Sequence, residues 1–280
     1  MSVLKKEGAE ICTFFFYSDI VFFLIMYYND GIKTWEGNNM NNAMVRNIKE
    51  RFERLCNGSG LHNFLEDYEN HRIPDTVDPR QIGEFYNGHL ERFYTMYEGF
   101  SPYILRSYLL RISSFSLITR DWVSELATTM KEYSKKEHPK VLEVCAGLGV
   151  LSFALNECGC DCIPTDSKTE VGTFNWDDQW MDVKELDWVD AVKKYGSDVD
   201  FVVCSWPRHG VSQVIKEFSI VNPGAPFIYI GEGWGGCTAD DEFFEHSEKH
   251  YFQSFLSEVN RKYQRWEGIH DSVYAMQYID

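Results

Sequence analysis

A glycine-containing turn between a strand and a helix is the first feature of the sequence that could bind a ligand. The apolar run 141–144 reads as a strand and Val150–Glu157 as a helix, with Gly147 and Gly149 between them. Glycine lets a backbone turn sharply and approach a ligand without interference from a Cβ atom. The acid Glu143, near the end of the strand, would repel a pyrophosphate and attract a cation. The turn therefore indicates a site for a small, positively charged ligand.

Two further acids follow the next two apolar runs, in positions that suit the parts of a nucleoside. Asp166 lies 19 residues after Gly147, the spacing at which an acid binds a ribose diol in nucleotide-binding sheets. Asp187 follows a third run and can accept a hydrogen bond from the exocyclic amine of adenine. The neighbouring Trp188 can cover the adenine ring. The glycines and both acids thus occur in the order that a nucleoside ligand requires.

Two later loops carry residues that could act on a second molecule. The first contains Ser205, Trp206 and His209. His209 could be a general base for a hydroxyl or an amine, although a loop histidine is often an ordinary surface residue. The second loop places four glycines around Glu232 and Trp234, which suggests a backbone that passes close to a ligand. Glu232 is a candidate catalytic or amine-binding carboxylate.

The elements that must position these loops alternate between short apolar runs and helical stretches from residue 138 onward. Such alternation predicts a parallel, doubly wound α/β sheet, in which ligands bind at the carboxyl ends of the strands. A helix should run from an N-cap at Thr119 to about Lys136, and Thr238 is predicted to cap another. The predicted strands are 141–144, 160–164, 181–186, 199–204 and 227–230, and the predicted helices between them are 150–157, 188–195 and 211–218.

The N-terminal part of the chain contains no predicted strand before residue 140, and its amphipathic segments predict helices. We therefore divide the chain into an all-helical cap, 1–118, and an α/β domain, 119–280. Residues 11–28 are apolar over nearly the length of a membrane span, but Asp19 lies at their centre. A buried or interface helix is therefore favoured over membrane contact or a targeting segment, and an exposed aromatic face there would favour a homodimer.

Over residues 119–280 the sequence resembles the class I S-adenosylmethionine (SAM)-dependent methyltransferases. The resemblance rests on the acid and glycines of the first turn, Asp166, Asp187 and the strand-end triplet Ser205-Trp206-Pro207. It implies a Rossmann-like sheet of seven strands whose last strand is antiparallel, with 255–263 and 272–279 as the closing hairpin. It also implies that SAM is the cofactor, with its methionine part on the glycine turn and its ribose on Asp166. The cofactor-binding candidates are Glu143, Cys145, Ala146, Gly147, Gly149, Asp166, Ser167, Asp187, Trp188 and Ser205.

The residues that would hold the methyl acceptor match the family only in part. Members that methylate amines carry a polar residue, two prolines and an aromatic residue at the end of the fourth strand. Here Trp206 replaces the first proline and Arg208 the aromatic residue. Trp206 therefore either contacts the acceptor or packs at the strand end. The catalytic candidates are Ser205, Trp206, His209 and Glu232; the substrate-binding candidates are Phe115, Ser116, Trp206 and Trp234, of which Phe115 and Ser116 could instead be core residues.

Charge and cysteine content narrow the classes of partner. The net charge of −16 disfavours nucleic-acid binding, and residues 121–280 carry −14 of it. A neutral or cationic acceptor is therefore favoured over a phosphorylated one. The eight cysteines form neither a small-domain disulfide framework nor a zinc-ligand spacing. We expect no metal, and a reduced, cytoplasmic compartment.

The sequence thus predicts a SAM-dependent methyltransferase that acts on a small-molecule amine or hydroxyl by direct in-line transfer. Because the acceptor loop departs from the family pattern, two alternatives stay open. The protein could be a methyltransferase-like binding or scaffold protein without turnover, or a methyltransferase of proteins, which would need an open acidic groove.

Overall fold

The computed structural model describes residues 66–76, 109–169, 173–266 and 269–280. Most of the predicted helical cap, including the apolar stretch 11–28, lies outside these ranges. In the described part of the chain, strands and helices alternate from residue 120 to residue 278, as the apolar pattern predicts. None of the helices in those ranges is long and apolar enough to cross a membrane.

The α/β domain begins with a helix and ends with a strand. Its strands are β1 Lys140–Val144, β2 Asp161–Asp166, β3 Lys184–Glu185, β4 Phe201–Ser205, β5 Phe227–Glu232, β6 Ser247–Lys249 and β7 Asp271–Tyr278. Its α-helices are α1 Arg120–Ser134, α2 Val150–Glu157, α3 Trp188–Tyr195, α4 Val211–Val221, α5 Asp241–Glu245 and α6 Ser257–Lys262. Short 3₁₀ helices cover Trp176–Asp178, Gly196–Asp198 and Tyr251–Phe255.

The seven strands form one sheet in the order β3-β2-β1-β4-β5-β7-β6. Strands β1 to β5 run parallel, and β7 is antiparallel to both of its neighbours. The Rossmann-like α/β fold with an antiparallel last strand is therefore confirmed. The strand order reverses between β1 and β4, so the carboxyl ends of these strands form the topological switch point at which such sheets bind ligands.

The second strand of the closing hairpin, predicted at 272–279, is confirmed as β7, but the first strand uses different residues from those predicted. That first strand is β6, whereas 255–263 is largely the helix α6. The buried residues of that stretch recur at the three- and four-residue spacing of a helix, namely Leu256, Val259 and Tyr263. Strand β6 has three residues, two of them charged, and lies at the sheet edge, so no apolar run marks it. Strand β3 is also shorter than the predicted run 181–186.

Helices cover both faces of the sheet and leave its carboxyl edge for the loops. On one face, α1, α2 and α6 share a core that includes Trp122, Leu155 and Val259. On the other face, α3, α4 and α5 share a core that includes Ile215 and Phe243. The predicted N-cap Thr119 does lie at the start of α1, although its side chain makes no capping hydrogen bond.

Candidate cofactor and acceptor site

The glycine turn between β1 and α2 requires glycine at two positions. The φ angle is 53° at Gly147 and 78° at Gly149, and Cys145 before them also has a positive φ of 55°. A Cβ atom on Gly147 would lie 2.9 Å from the Phe174 ring, and one on Gly149 would lie 2.9 Å from Val183 Cγ2. Both the left-handed backbone and the close side-chain contacts therefore disfavour larger residues.

Asp166, the last residue of β2, ties the glycine turn to the loop that follows β2. Its Oδ2 accepts the N–H of Gly147 at 3.0 Å, and its Oδ1 accepts the N–H of Lys168 at 2.8 Å. Burial raises the pKa of this carboxyl, and the two backbone donors together with the charges of Arg208 and Lys168 oppose the rise. Because a carboxylate oxygen can accept two hydrogen bonds, each one keeps an acceptor position that suits a ribose diol.

Glu143 lies buried behind the turn. Its Oε2 accepts both the backbone N–H of Ser152 at 3.0 Å and the Ser152 hydroxyl at 2.5 Å. Burial raises the pKa of Glu143 to about 7, although both Ser152 bonds favour the ionised form. The acid thus fixes the first turn of α2 to the end of β1 and titrates near neutral pH. Its predicted attraction for a cationic ligand stays a prediction.

The other cofactor candidates lie in the same group of loops. The N–H of Ala146 donates to the carbonyl of Thr165 at 3.0 Å, which closes the turn onto β2. Cys145 packs against the core beneath α3 and α4, next to Cys204, whose pKa burial holds well above its ordinary value. The Ser167 hydroxyl lies 2.9 Å from that of Thr169.

The predicted adenine-binding residues connect the loops after β3 and β4. Asp187 is the N-cap of α3, where its Oδ1 accepts the N–H of Val189 at 2.9 Å. The Trp188 ring packs against Gly210, since a Cβ there would lie 3.4 Å from Trp188 Cζ2. One oxygen of the exposed Asp187 makes the capping bond, so the carboxylate can still accept a ligand amine.

Two segments that lie 89 residues apart in sequence meet at the end of β4. The Ser116 and Ser205 hydroxyl oxygens are 2.9 Å apart. The rings of Phe115 and Trp206 stack, with centroids 5.7 Å apart and planes at 13°. Phe174, which covers Gly147, meets the Phe115 ring edge-on at 5.9 Å. We call Phe115, Phe174 and Trp206 the aromatic cluster. All three rings are half-buried, so the cluster borders the glycine turn and keeps exposed surface.

Two buried residues that the sequence did not single out complete this region. Asp271, the first residue of β7, accepts the Trp206 indole N–H at 2.9 Å and the Tyr263 hydroxyl at 2.5 Å, both on Oδ2. Tyr263 also lies 3.2 Å from the Ser116 hydroxyl. Trp206 has a φ of 53°, a strained value for a bulky residue, which the bond from its indole to Asp271 helps to hold. The sequence carries no functional signal for either buried residue: Tyr263 ends the predicted strand 255–263, and Asp271 directly precedes the predicted strand 272–279.

Glu232, a catalytic candidate, anchors its own glycine-rich loop. Its Oε2 accepts the N–H of Cys237 at 2.7 Å, and its Oε1 accepts the N–H of His270 at 3.1 Å. Gly236 passes so close to the Glu232 side chain that a Cβ would clash with it. The glycine at 236 thus serves a contact inside the protein. The catalytic role of Glu232 stays a prediction, and its carboxylate already has a structural one.

The prediction that Thr238 caps a helix is wrong. Helix α5 begins after Asp240, whose side chain accepts the N–H of Phe243 at 3.0 Å. The Thr238 hydroxyl instead accepts the N–H of Glu232 at 2.7 Å and lies 2.6 Å from the Tyr229 hydroxyl. The acid nearer the helix occupies the capping position, and the threonine closes the loop onto β5.

The structure does not bring Trp234 to the aromatic cluster. Its side chain is 61 % exposed, and its ring packs on Phe244, 5.7 Å away. His209 is exposed in the loop after β4, and its role as a base stays a prediction. Among the described ranges, no group of three His, Cys, Asp or Glu side chains could hold a metal ion.

Comparison with known proteins gives structural similarity alone. No family model and no curated protein sequence matches the chain. The chain is similar to the magnesium protoporphyrin IX methyltransferase of Synechocystis PCC 6803 with bound SAM, at 11% identity over 73% of this chain and 99% of that one, with a TM-score of 0.37. It is similar to a SAM-dependent methyltransferase of Agrobacterium tumefaciens, at 11% identity, 65% and 64% coverage and a TM-score of 0.34.

A third similar structure is the ribosomal protein L11 methylase of Lactobacillus delbrueckii subsp. bulgaricus. Its identity is 15% over 55% of this chain and 78% of that one, with a TM-score of 0.33. Identities and scores of this size add nothing to what the strand order of the chain itself establishes. The fold assignment therefore rests on the seven-stranded sheet and its antiparallel β7.

Proposed function

We propose that this protein is a SAM-dependent methyltransferase that methylates an amine or a hydroxyl group of a small molecule. The observation that carries the proposal is the bond between Asp166 and the Gly147 N–H at the switch point of the sheet. That bond places an acid suited to a ribose diol beside a turn with two left-handed, closely packed glycines. A nucleoside-containing cofactor is the ligand class that this pairing fits best.

The donor set at the switch point fits SAM in particular. Asp166 keeps acceptor positions for the ribose, and Asp187 and Trp188 offer an acceptor and an aromatic face for adenine. The turn presents left-handed backbone and no basic side chain, which suits an amino acid part better than a pyrophosphate. The nearby acids Glu143 and Asp166 favour a ligand with a positive centre.

Bound SAM would supply a methyl group on a sulfonium centre, which is already activated for displacement. The chain must then hold a nucleophile in line with that methyl group and keep water away from it, and proximity alone can supply much of the rate. Ser205 offers a hydroxyl that can hold the acceptor, and the aromatic cluster offers apolar faces that exclude water. Aromatic faces also stabilise a nearby cation, which SAM carries.

Calorimetric titration with SAM and with its demethylated product tests the proposal. The wild-type protein should bind both ligands, and Asp166→Ala should weaken both by about tenfold or more, because the ribose loses a charged acceptor. Asp161→Ala is the matched control, since Asp161 is an exposed acid at the opposite end of β2 and should leave binding unchanged. The absence of heat from either ligand in the wild-type protein would sink the proposal.

A methyl-transfer assay separates the enzyme from a scaffold. The protein, SAM and a panel of small amines and phenols are incubated, and methylated products are measured by mass spectrometry. Binding of SAM without transfer to any acceptor would favour the scaffold, as the departures at Trp206 and Arg208 suggest. Transfer to protein substrates alone would favour a protein methyltransferase.

A further inference from the structure

A chain of hydrogen-bonded hydroxyl groups runs from the end of β4 into the core and ends on an acid. The Ser205 and Ser116 oxygens are 2.9 Å apart, the Ser116 and Tyr263 oxygens are 3.2 Å apart, and Tyr263 donates to Asp271 over 2.5 Å. Ser116, Tyr263 and Asp271 are 2 %, 6 % and 2 % exposed, whereas Ser205 is half-buried. The accessible end of the chain is therefore Ser205.

The acid sets the direction of every bond in this chain. A carboxylate can only accept, and the two donors that meet Asp271 Oδ2, the Trp206 indole N–H and the Tyr263 hydroxyl, suit its ionised form. Burial and the neighbouring Asp271 hold the pKa of Tyr263 well above its ordinary value, so the phenol keeps its proton. The Tyr263 hydroxyl lies within donor reach of both Asp271 and Ser116 but has a single proton. That proton goes to the charged Asp271 Oδ2 at 2.5 Å rather than to the Ser116 oxygen at 3.2 Å, so the Tyr263 oxygen is left to accept from Ser116.

The same reasoning carries the direction outward to the site. Because the Ser116 proton points at Tyr263, the Ser116 oxygen accepts from Ser205. The Ser205 proton is therefore used inside the protein, and its oxygen faces the site as a hydrogen-bond acceptor. A ligand group beside Ser205 that carries O–H or N–H donates a hydrogen bond to the Ser205 oxygen. A ligand group with neither leaves that oxygen without a donor.

Asp271 also positions part of the aromatic cluster next to Ser205. Its bond to the indole fixes Trp206, whose ring stacks on Phe115 at the position where the two serines meet. One buried carboxylate thus positions both a flat apolar surface and an oriented acceptor oxygen. A planar ring bearing a single donor group matches this pair of features.

We propose, resting on the proposed function, that the methyl acceptor is a phenol or an aromatic amine, and that Asp271 is the positioning residue that selects it. The acceptor's O–H or N–H donates to the Ser205 oxygen, while its ring lies against Phe115 and Trp206. Asp271 acts through Tyr263 and Ser116 on one side and through the indole on the other.

Two matched pairs of probes test the selection: phenol with anisole, and aniline with N,N-dimethylaniline. Each pair shares a ring, and only the first member carries a donor. Binding is followed by the indole N–H signal of Trp206 in ¹⁵N-tryptophan-labelled full-length protein, assigned with Trp206→Phe. Titrations are run with and without the demethylated cofactor product. The donor-bearing probe should bind about tenfold more tightly than its partner, the usual size of one hydrogen bond in a partly buried site.

Two variants distinguish a role of Asp271 in selecting the acceptor from a role in the stability of the fold. Tyr263→Phe interrupts the chain while keeping the ring, and Asp271→Asn introduces an amide that can donate, so the direction is no longer enforced. In both, the preference for the donor-bearing probe should fall to about onefold, because the Ser205 proton becomes free to donate to anisole, which then binds more tightly. Tyr251→Phe, at an exposed tyrosine, is the control and should keep the preference.

The outcomes are distinct from those that test the proposed function. Equal affinity for phenol and anisole in the wild-type protein overturns the inference. So does a preference that survives in whichever of the two variants folds, or a Trp206 signal that no probe shifts. If calorimetry shows no binding of SAM or its product, the proposed function fails on its own account, and the probe titrations without cofactor still decide the selection.

Discussion

The Asp166 carboxylate accepts the backbone N–H of Gly147 at 3.0 Å, so the end of β2 is bonded directly to the turn that follows β1. The two strands are already neighbours, with Val144 beside Thr165 in register. The carboxylate extends that pairing beyond the strand ends and fixes the turn where a cofactor would lie. Any ligand that replaces the Gly147 N–H on this carboxylate, or binds beside it, interacts electrostatically with the charge of Asp166.

We predict that SAM affinity decreases on acidification at a higher pH than an ordinary aspartate would produce. In the proposed complex the ionised carboxylate would accept both ribose hydroxyls, and burial raises the pKa of Asp166 above its ordinary value of 3.8. As the pH falls through that raised pKa, the acid is protonated and one acceptor position becomes a donor. The dissociation constant of SAM is measured by calorimetry from about pH 4 to about pH 8. This range runs from near the ordinary aspartate pKa to a pH at which the Asp166 carboxyl is fully ionised.

Asp166→Asn is the control for this pH dependence. It keeps one acceptor oxygen but cannot titrate, so its SAM affinity should be lower at neutral pH and should lose the acid-side change that the wild-type protein shows. Parallel pH curves for the two proteins would contradict the assignment of the titrating group.

We predict that Gly147→Ala destabilises the protein more than Gly224→Ala. Both glycines have positive φ, 53° and 81°, and a Cβ at Gly147 meets the Phe174 ring while one at Gly224 meets nothing within 4 Å. The backbone strain, about 1 kcal/mol, is common to both, so the excess at Gly147 measures the contact. Urea denaturation gives the free energies of unfolding.

A second substitution at Phe174 tests whether that contact is the cause. Phe174→Leu should recover part of the loss in Gly147→Ala and none of the loss in Gly224→Ala. If the effects of Gly147→Ala and Phe174→Leu simply add, the ring is not what the new methyl group meets.

We predict that titration of Glu143 makes the protein less stable as the pH rises. Its pKa is about 7 in the folded protein against an ordinary value of 4.5, so between these values the folded state holds a proton that the unfolded chain has lost. The free energy of unfolding from this group therefore decreases as the pH rises through this window, by at most about 3 kcal/mol, and is level above it. Glu143→Gln lacks the titration and should gain stability relative to wild type across the same window. Chemical denaturation at several pH values measures the difference, and a constant difference would exclude a raised pKa.

The sequence predicts those parts of the candidate site that depend on local pattern. The turn at Gly147 and the acid Asp166 were found because strand, glycine and acid recur at fixed spacing, and the sheet then brings them together. Strand β6 was missed because a three-residue charged edge strand has no apolar run. Thr238 was assigned as a cap because threonine and aspartate are both good caps, and only tertiary contacts chose Asp240.

The acceptor region depended on contacts that no local pattern encodes. Ser116 and Ser205 are both candidates, but their contact across 89 residues depends on the tertiary position of the segment before α1, which no local pattern encodes. Asp271 was missed because a single acid at the start of a strand reads as an ordinary polar boundary residue. Its role depends on burial and on Trp206 and Tyr263, which come from two other segments.

We predict that Glu232 is needed for the shape of its loop. Glu232→Ala would leave the N–H groups of Cys237 and His270 without their acceptor, at a cost of about 1–3 kcal/mol in unfolding free energy. Glu232→Gln keeps one acceptor oxygen and should lose less. Glu242→Ala, at an exposed acid of α5, is the matched control and should change little.

Amide hydrogen exchange separates this structural role from a catalytic one. In Glu232→Ala the amides of Cys237 and His270 should exchange faster, while the β1 amides, on the other side of β4, should keep their protection. A catalytic role alone predicts unchanged protection at both amides together with lost methyl transfer. That result would return Glu232 to the reacting centre, because a carboxylate whose loop keeps its shape without it must act on something other than the loop.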